Sequence, residues 1–151
     1  MPYVFISYCS KDADLARQLH SALQCAGAEP FLAELDIEPG AYWKDRILKN
    51  IKESQWVFFL ATPNSCASQA VAHEIGASLV LEKKLIPLMC RVTPDQLPEW
   101  VNHSQAVDLR DHRRIARLVE DIGERVKADR FLSGVLTAAL ICFALWILSK
   151  K

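Results

Sequence analysis

The run Trp56-Val57-Phe58-Phe59-Leu60-Ala61, closed by Thr62-Pro63-Asn64-Ser65, decides how the chain is read. Six successive apolar residues, rich in aromatic side chains, leave no polar face for water. Such a run suits a strand covered on both sides, as in the middle of a parallel sheet. Pro63 and Asn64 then break the strand. Just upstream, Trp43, Ile47 and Ile51 recur every four residues and predict a helix; downstream, Val71, Ile75 and Leu79 predict another from about Ser68 to Glu82, with all three inward. Further out, Tyr3-Val4-Phe5-Ile6 reads as a first strand. Ser10 reads as the cap of a helix with Asp12 in its first turn, a core face of Leu15, Leu19 and Leu23, and an end at Gly27. Pro30-Phe31-Leu32, Leu85 to Cys90 and Ala106 to Leu109 supply three more strands. Arg113 to Lys127 reads as a last helix, with Ile115, Leu118, Val119, Ile122 and Val126 on one face.

Strand and helix alternate without repeats or low-complexity stretches. The pattern predicts an α/β domain: a flavodoxin-like parallel five-stranded sheet with helices on both faces. Ligands of such sheets bind outside the carboxyl ends of the strands. Those ends are Ser7-Tyr8-Cys9, Ala33 to Gly40, Thr62 to Ser65 and Cys90-Arg91.

The 18 basic and 18 acidic residues cancel, and zero net charge argues against a nucleic-acid partner. Cys9, Cys25, Cys66, Cys90 and Cys142 are odd in number and widely spaced, with no CxxC pair. Neither a disulfide framework nor a zinc site is expected, and free thiols suit a reducing compartment.

From Phe131 to Ser149 the chain reads FLSGVLTAALICFALWILS, without a charge. That length is near the minimum for a bilayer core. Arg125, Lys127 and Arg130 precede it, Lys150 and Lys151 follow, and Trp146 is of the interfacial type. The expected organisation is a domain over 1–127, a basic link at 128–130, a transmembrane helix over 131–149 in contact with lipid, and a basic end at 150–151. Met1-Pro2-Tyr3 offers no basic region before an apolar one, so no signal peptide is expected and the domain is placed in the cytoplasm, tail-anchored. The competing reading of an all-round apolar helix is a buried core or assembly helix.

Four segments in register carry a resemblance. They are Val4-Phe5-Ile6-Ser7-Tyr8-Cys9-Ser10-Lys11-Asp12; Asp36-Ile37-Glu38-Pro39-Gly40-Ala41-Tyr42-Trp43; Ile51 to Asn64; and Ala72-His73-Glu74-Ile75-Gly76-Ala77 with Lys84-Leu85-Ile86-Pro87-Leu88. Together, over about residues 3 to 126, the chain resembles the TIR (Toll/interleukin-1 receptor) domain family in its bacterial form. The resemblance implies one of two roles. Some members are non-catalytic adaptors that signal through TIR–TIR contacts, for which Asp36 to Gly40 would serve here. Others cleave the nicotinamide–ribose bond of NAD, some of them making cyclic or other ADP-ribose signals.

For the enzyme, the resemblance puts the catalytic carboxylate at Glu74, with NAD as substrate and no metal. Ser7, Tyr8, Cys9, Asp36, Tyr42, Trp43 and Ser65 are the implied binding residues, Tyr42 as a stacking aromatic. Loss of nicotinamide builds positive charge on the ribose, which one nearby carboxylate can stabilise. Nicotinamide leaves as a neutral molecule from a cationic precursor, so no general acid is required. Read on their own, Glu74 fits a solvated helix position, Trp43 core packing, Ser65 a turn or cap, and His73 the surface. Two departures stand out: Ala70 where many NAD-cleaving members have Trp, and Ala33, followed by Glu34, where many have Asp. The implied partners are further copies of the domain or another TIR or defence-system protein, and the implied setting is anti-phage or stress defence.

Overall fold

The computed structural model describes residues 3–25, 28–32, 43–101, 106–110, 141–147 and 149. The last helix expected over 113–127, the loop 33–42 and the first part of the tail, 131–140, lie outside the described residues.

Five strands form one all-parallel sheet: β1 (Tyr3–Ser7), β2 (Glu29–Phe31), β3 (Trp56–Ala61), β4 (Lys84–Met89) and β5 (Val107–Asp108), in the order β2-β1-β3-β4-β5. This is the flavodoxin-like order, whose direction reverses between β1 and β3. Every residue of β3 is buried. In register, Ile6 lies opposite Phe58 and Leu60 opposite Leu88.

Because side chains alternate along a strand, the sheet sorts its apolar residues into two layers. Val4, Ile6, Phe58, Leu60 and Leu88 face one side, where Ala16, Leu19 and Leu23 of helix α1 (Ala13–Cys25) pack. Phe5, Val57, Phe59 and Met89 face the other, under Ile47 and Ile51 of α2 (Trp43–Glu53) and Val71 and Ile75 of α4 (Gln69–Val80). A one-turn helix, α3 (Pro63–Cys66), lies between β3 and α4. The helices thus cover both faces, as expected for a parallel sheet.

Three expectations change. Ser10 is not the helix cap; it opens a 3-10 turn, Ser10–Asp12, and extended Cys9 holds the capping position without a side-chain bond. Leu79 is not inward but 41% exposed, and Ser78 is fully buried instead. At helical pitch, Ser78 sits about 20° from Val71 around the axis and Leu79 about 80°. Burial costs Ser78 little, because its hydroxyl donates to the Glu74 carbonyl at 2.8 Å. Beyond α4, the N–H groups of Glu82 and Lys83 close on the carbonyls of Leu79 and Ser78, with Glu82 at φ 53° in the left-handed position of a Schellman end.

The third change concerns the tail. Residues 141–147 are helical, and Phe143 and Ala144 are buried in the same layer as Val4, Phe58 and Leu60. Trp146 stacks on Phe143 at 6.4 Å. Among the described residues no helix is long and apolar enough to cross a membrane. Of the transmembrane helix expected over 131–149, residues 131–140 lie outside the described residues, and 141–147 packs in the core, where apolar residues on β3 and β4 need cover.

The corrected α4 face has a measurable consequence. Ile75→Ala, at a fully buried site, is expected to cost about 3 kcal/mol in urea unfolding, and Leu79→Ala within about 0.5.

Candidate functional site

The carboxyl ends of β1 and β3, where the strand order reverses, meet the N-terminal half of α4. Ser68 starts that helix by accepting the Val71 N–H at 3.4 Å. Six residues on, Glu74 points back at the end of β1. Ser7, fully buried as the last residue of that strand, donates its hydroxyl to Glu74 Oε2 at 2.6 Å. Strand alternation explains the pairing: Phe5 and Ser7 face the α2/α4 side, where Phe5 packs in the core and Ser7 meets a carboxylate instead.

Burial pushes the Glu74 carboxyl up from 4.5 to about 7, and the Ser7 hydrogen bond opposes that rise. An acid held near neutrality at such a place is the type of group that functional sites contain. Beside it, α2 and α4 bound a cleft of about 390 Å³, lined by Lys44, Ile47, Leu48, Ala70, His73 and Glu74 among others. The walls are mainly apolar, with Glu74 as the acid, in keeping with a small-molecule site. Ala70 contributes only a methyl group to this wall.

The other candidate residues divide. Tyr8 alternates away from Glu74 and packs against the α1-side layer. Cys9 acts through its backbone: its N–H donates to Ser65 Oγ at 3.2 Å. Ser65 is buried within α3, where its own N–H donates to Thr62 Oγ1 at 3.0 Å. Its hydroxyl is thereby occupied in joining the loop after β1 to the loop after β3. Trp43 is the first residue of α2; its side chain, like all of Asp36 and Tyr42, lies outside what is described. His73 is exposed on the rim of the cleft. Burial raises the Cys66 thiol above 9.0, so it stays protonated at neutral pH and is a poor nucleophile.

One residue escaped the sequence reading. Asp12 accepts from Thr62 Oγ1 at 2.5 Å and from Asn64 Nδ2 at 3.1 Å. With the Cys9–Ser65 bond, these contacts clamp the two loops that flank the reversal point. In the sequence Asp12 looked like ordinary first-turn helix charge, and nothing local separated the two uses. Among the described residues no group of His, Cys, Asp and Glu is arranged to hold a metal ion.

The raised Glu74 value predicts a pH signature. Between 4.5 and about 7 the folded protein keeps a proton that the unfolded chain has released, so stability falls as pH rises through that window and is level above it. The span corresponds to roughly 3 kcal/mol. Glu74→Gln, which cannot ionise, is expected to unfold with a smaller difference between pH 5 and pH 8 than the unsubstituted protein.

Comparison with known proteins accords with this geometry. The family model described as "TIR domain" matches residues 4–121. A probable 2' cyclic ADP-D-ribose synthase from Brachypodium distachyon, BdTIR, is 29% identical over 115 residues, covering 74% of this chain and 51% of the relative. The chain thus spans about half the length of that curated relative. Among solved structures, the TIR domain of the Toll-related receptor TRR-2 from Hydra magnipapillata aligns with TM-score 0.69 at 20% identity, covering 84% of this chain and 99% of that one. The TIR domains of the activated Roq1 resistosome align with TM-score 0.58 at 17% identity, covering 97% of each chain. A TIR-STING receptor from C. gigas, solved with 2',3'-cGAMP, aligns with TM-score 0.63 at 21% identity over 89% of this chain and 39% of its own. With the family model spanning most of its length and the sheet order and β1–α4 geometry in place, this chain belongs to the TIR domain family.

Proposed function

We propose that the protein cleaves the nicotinamide–ribose bond of NAD, with Glu74 as the catalytic carboxylate. The observation that carries this reading is the Glu74 carboxylate itself, held by Ser7 at the end of β1 and facing an apolar cleft between α2 and α4. As the bond to nicotinamide breaks, positive charge grows on the ribose, and a fixed, largely desolvated carboxylate stabilises it more than water does. Nicotinamide departs as the neutral base, so Glu74 works in its charged form and no proton donor is needed. Water or a hydroxyl of the same nucleotide then takes the vacated position, giving ADP-ribose or a cyclic product. The likeness to a probable 2' cyclic ADP-D-ribose synthase supports the choice of substrate.

Activity depends on self-association, as the resemblance to TIR enzymes implies. The setting is immune or stress signalling, in bacteria against phage. The uncharged segment 131–149 tethers the cytoplasmic domain to a membrane and raises its local concentration there, which favours a weak assembly.

The test follows nicotinamide release from NAD by the full chain, free in solution and clustered on vesicles. Clustered protein is expected to release nicotinamide, with a rate that climbs with pH through about 7 as Glu74 ionises. Glu74→Gln is expected to lose roughly 100-fold or more of the rate. Equal release by the clustered protein and its Glu74→Gln variant would refute the reading and leave a scaffold.

A further inference from the structure

The tail helix presents two kinds of apolar surface. On its inner side Phe143 and Ala144 are 1% and 0% exposed against the sheet. On its outer side Ile141 and Leu145, one turn apart, are 41% and 55% exposed, among the few large apolar side chains so placed. Both belong to the uncharged stretch 131–149, which basic residues flank at each end. A segment built only to cover a sheet has no need of an apolar outer side, and a segment built only to span lipid has no need to fit the gap over β3 and β4.

We infer that the outer side of this helix is a lipid-binding surface and that the segment exchanges between two hosts, its own sheet and a bilayer. The lipid half of this inference rests on the membrane tether proposed above. In the docked form Phe143 fills the layer with Val4, Phe58 and Leu60 and stacks on Trp146. Ile141 and Leu145 meet the bilayer surface first, and basic flanks favour anionic headgroups. Transfer into lipid keeps Phe143 and Ala144 out of water and takes in Ile141 and Leu145 as well, but it uncovers the sheet. The equilibrium therefore depends on the difference between two comparable burials, and a single side chain can shift it. Undocking also removes Trp146 and Ile147 from the wall of a second cleft of about 390 Å³, whose other walls include Asp12, Thr62, Asn64 and Arg91. That cleft borders the clamp between the loops after β1 and β3, so tail position and site architecture share a boundary.

Two substitutions in the full chain separate the hosts. Phe143→Ala removes the inner contact yet leaves the segment apolar. Without lipid it is expected to lower the melting midpoint by roughly 10 °C. With phosphatidylcholine/phosphatidylglycerol vesicles it is expected to raise the bound fraction roughly tenfold, because the docked competitor is weakened. Leu145→Asp alters only the outer side; it is expected to keep the midpoint within about 2 °C and to lose roughly tenfold or more in vesicle binding. An unchanged midpoint for Phe143→Ala, or a large drop for Leu145→Asp, would overturn the docked orientation. Absence of vesicle binding by both the unsubstituted protein and Phe143→Ala would overturn the lipid host and the tether together, while nicotinamide release stays a separate measurement.

Discussion

A strand buried on both faces cannot stand alone, and β3 imposes that condition on the rest of the molecule. Its six residues are all buried, with β1 and β4 hydrogen-bonded along its edges. Parallel pairing requires long crossovers, and those crossovers supply the helices that cover the faces. Hence α2 and α4 lie over Phe5, Val57 and Phe59, and α1 lies over Val4, Phe58 and Leu60, where the helix at 141–147, which follows the last strand, adds cover. The same parallelism brings the carboxyl ends of all strands to one side, where the reversal of order between β1 and β3 opens space for a ligand.

The candidate site exploits that opening with few polar groups. A carboxylate on α4 is drawn toward the buried end of β1, where one hydroxyl meets it. Desolvation outweighs that bond, so the acid sits near neutrality rather than at its usual value. A second polar set, Asp12 with Thr62, Asn64 and Ser65, holds the neighbouring loops in place without facing the cleft.

Much of this was legible in the residues themselves. The Trp56–Ala61 run announced an interior strand, and the fourfold spacing of Leu15, Leu19 and Leu23 announced the packed face of α1, where Leu19 and Leu23 are buried. Glu74 was legible only through the family resemblance, since its place on an amphipathic helix by itself suggested a solvated residue. Alternation along β1 puts Ser7 on the same face as Phe5, but its pairing with Glu74 came only from the fold. Tyr8 illustrates the limit: adjacency in sequence grouped it with Ser7, and the period of two sent it to the opposite face. Ser78 and Leu79 show the same limit on a helix, where a spacing of four drifts and a single step around the axis exchanges core for solvent.

The chain's own pattern determined the fold class, the strand number and the apolar sets, because periodicity and run length are local properties. Which polar groups meet was decided only by the tertiary structure. The Ser7–Glu74 and Asp12–Thr62 bonds join residues 67 and 50 positions apart, and no local signal specifies them. The tail belongs to the same class of decision. An uncharged stretch is equally at home in lipid or in protein, since both exclude water. Its burial against Val4, Phe58 and Leu60 reflects the shape of the uncovered sheet, which the stretch itself does not encode.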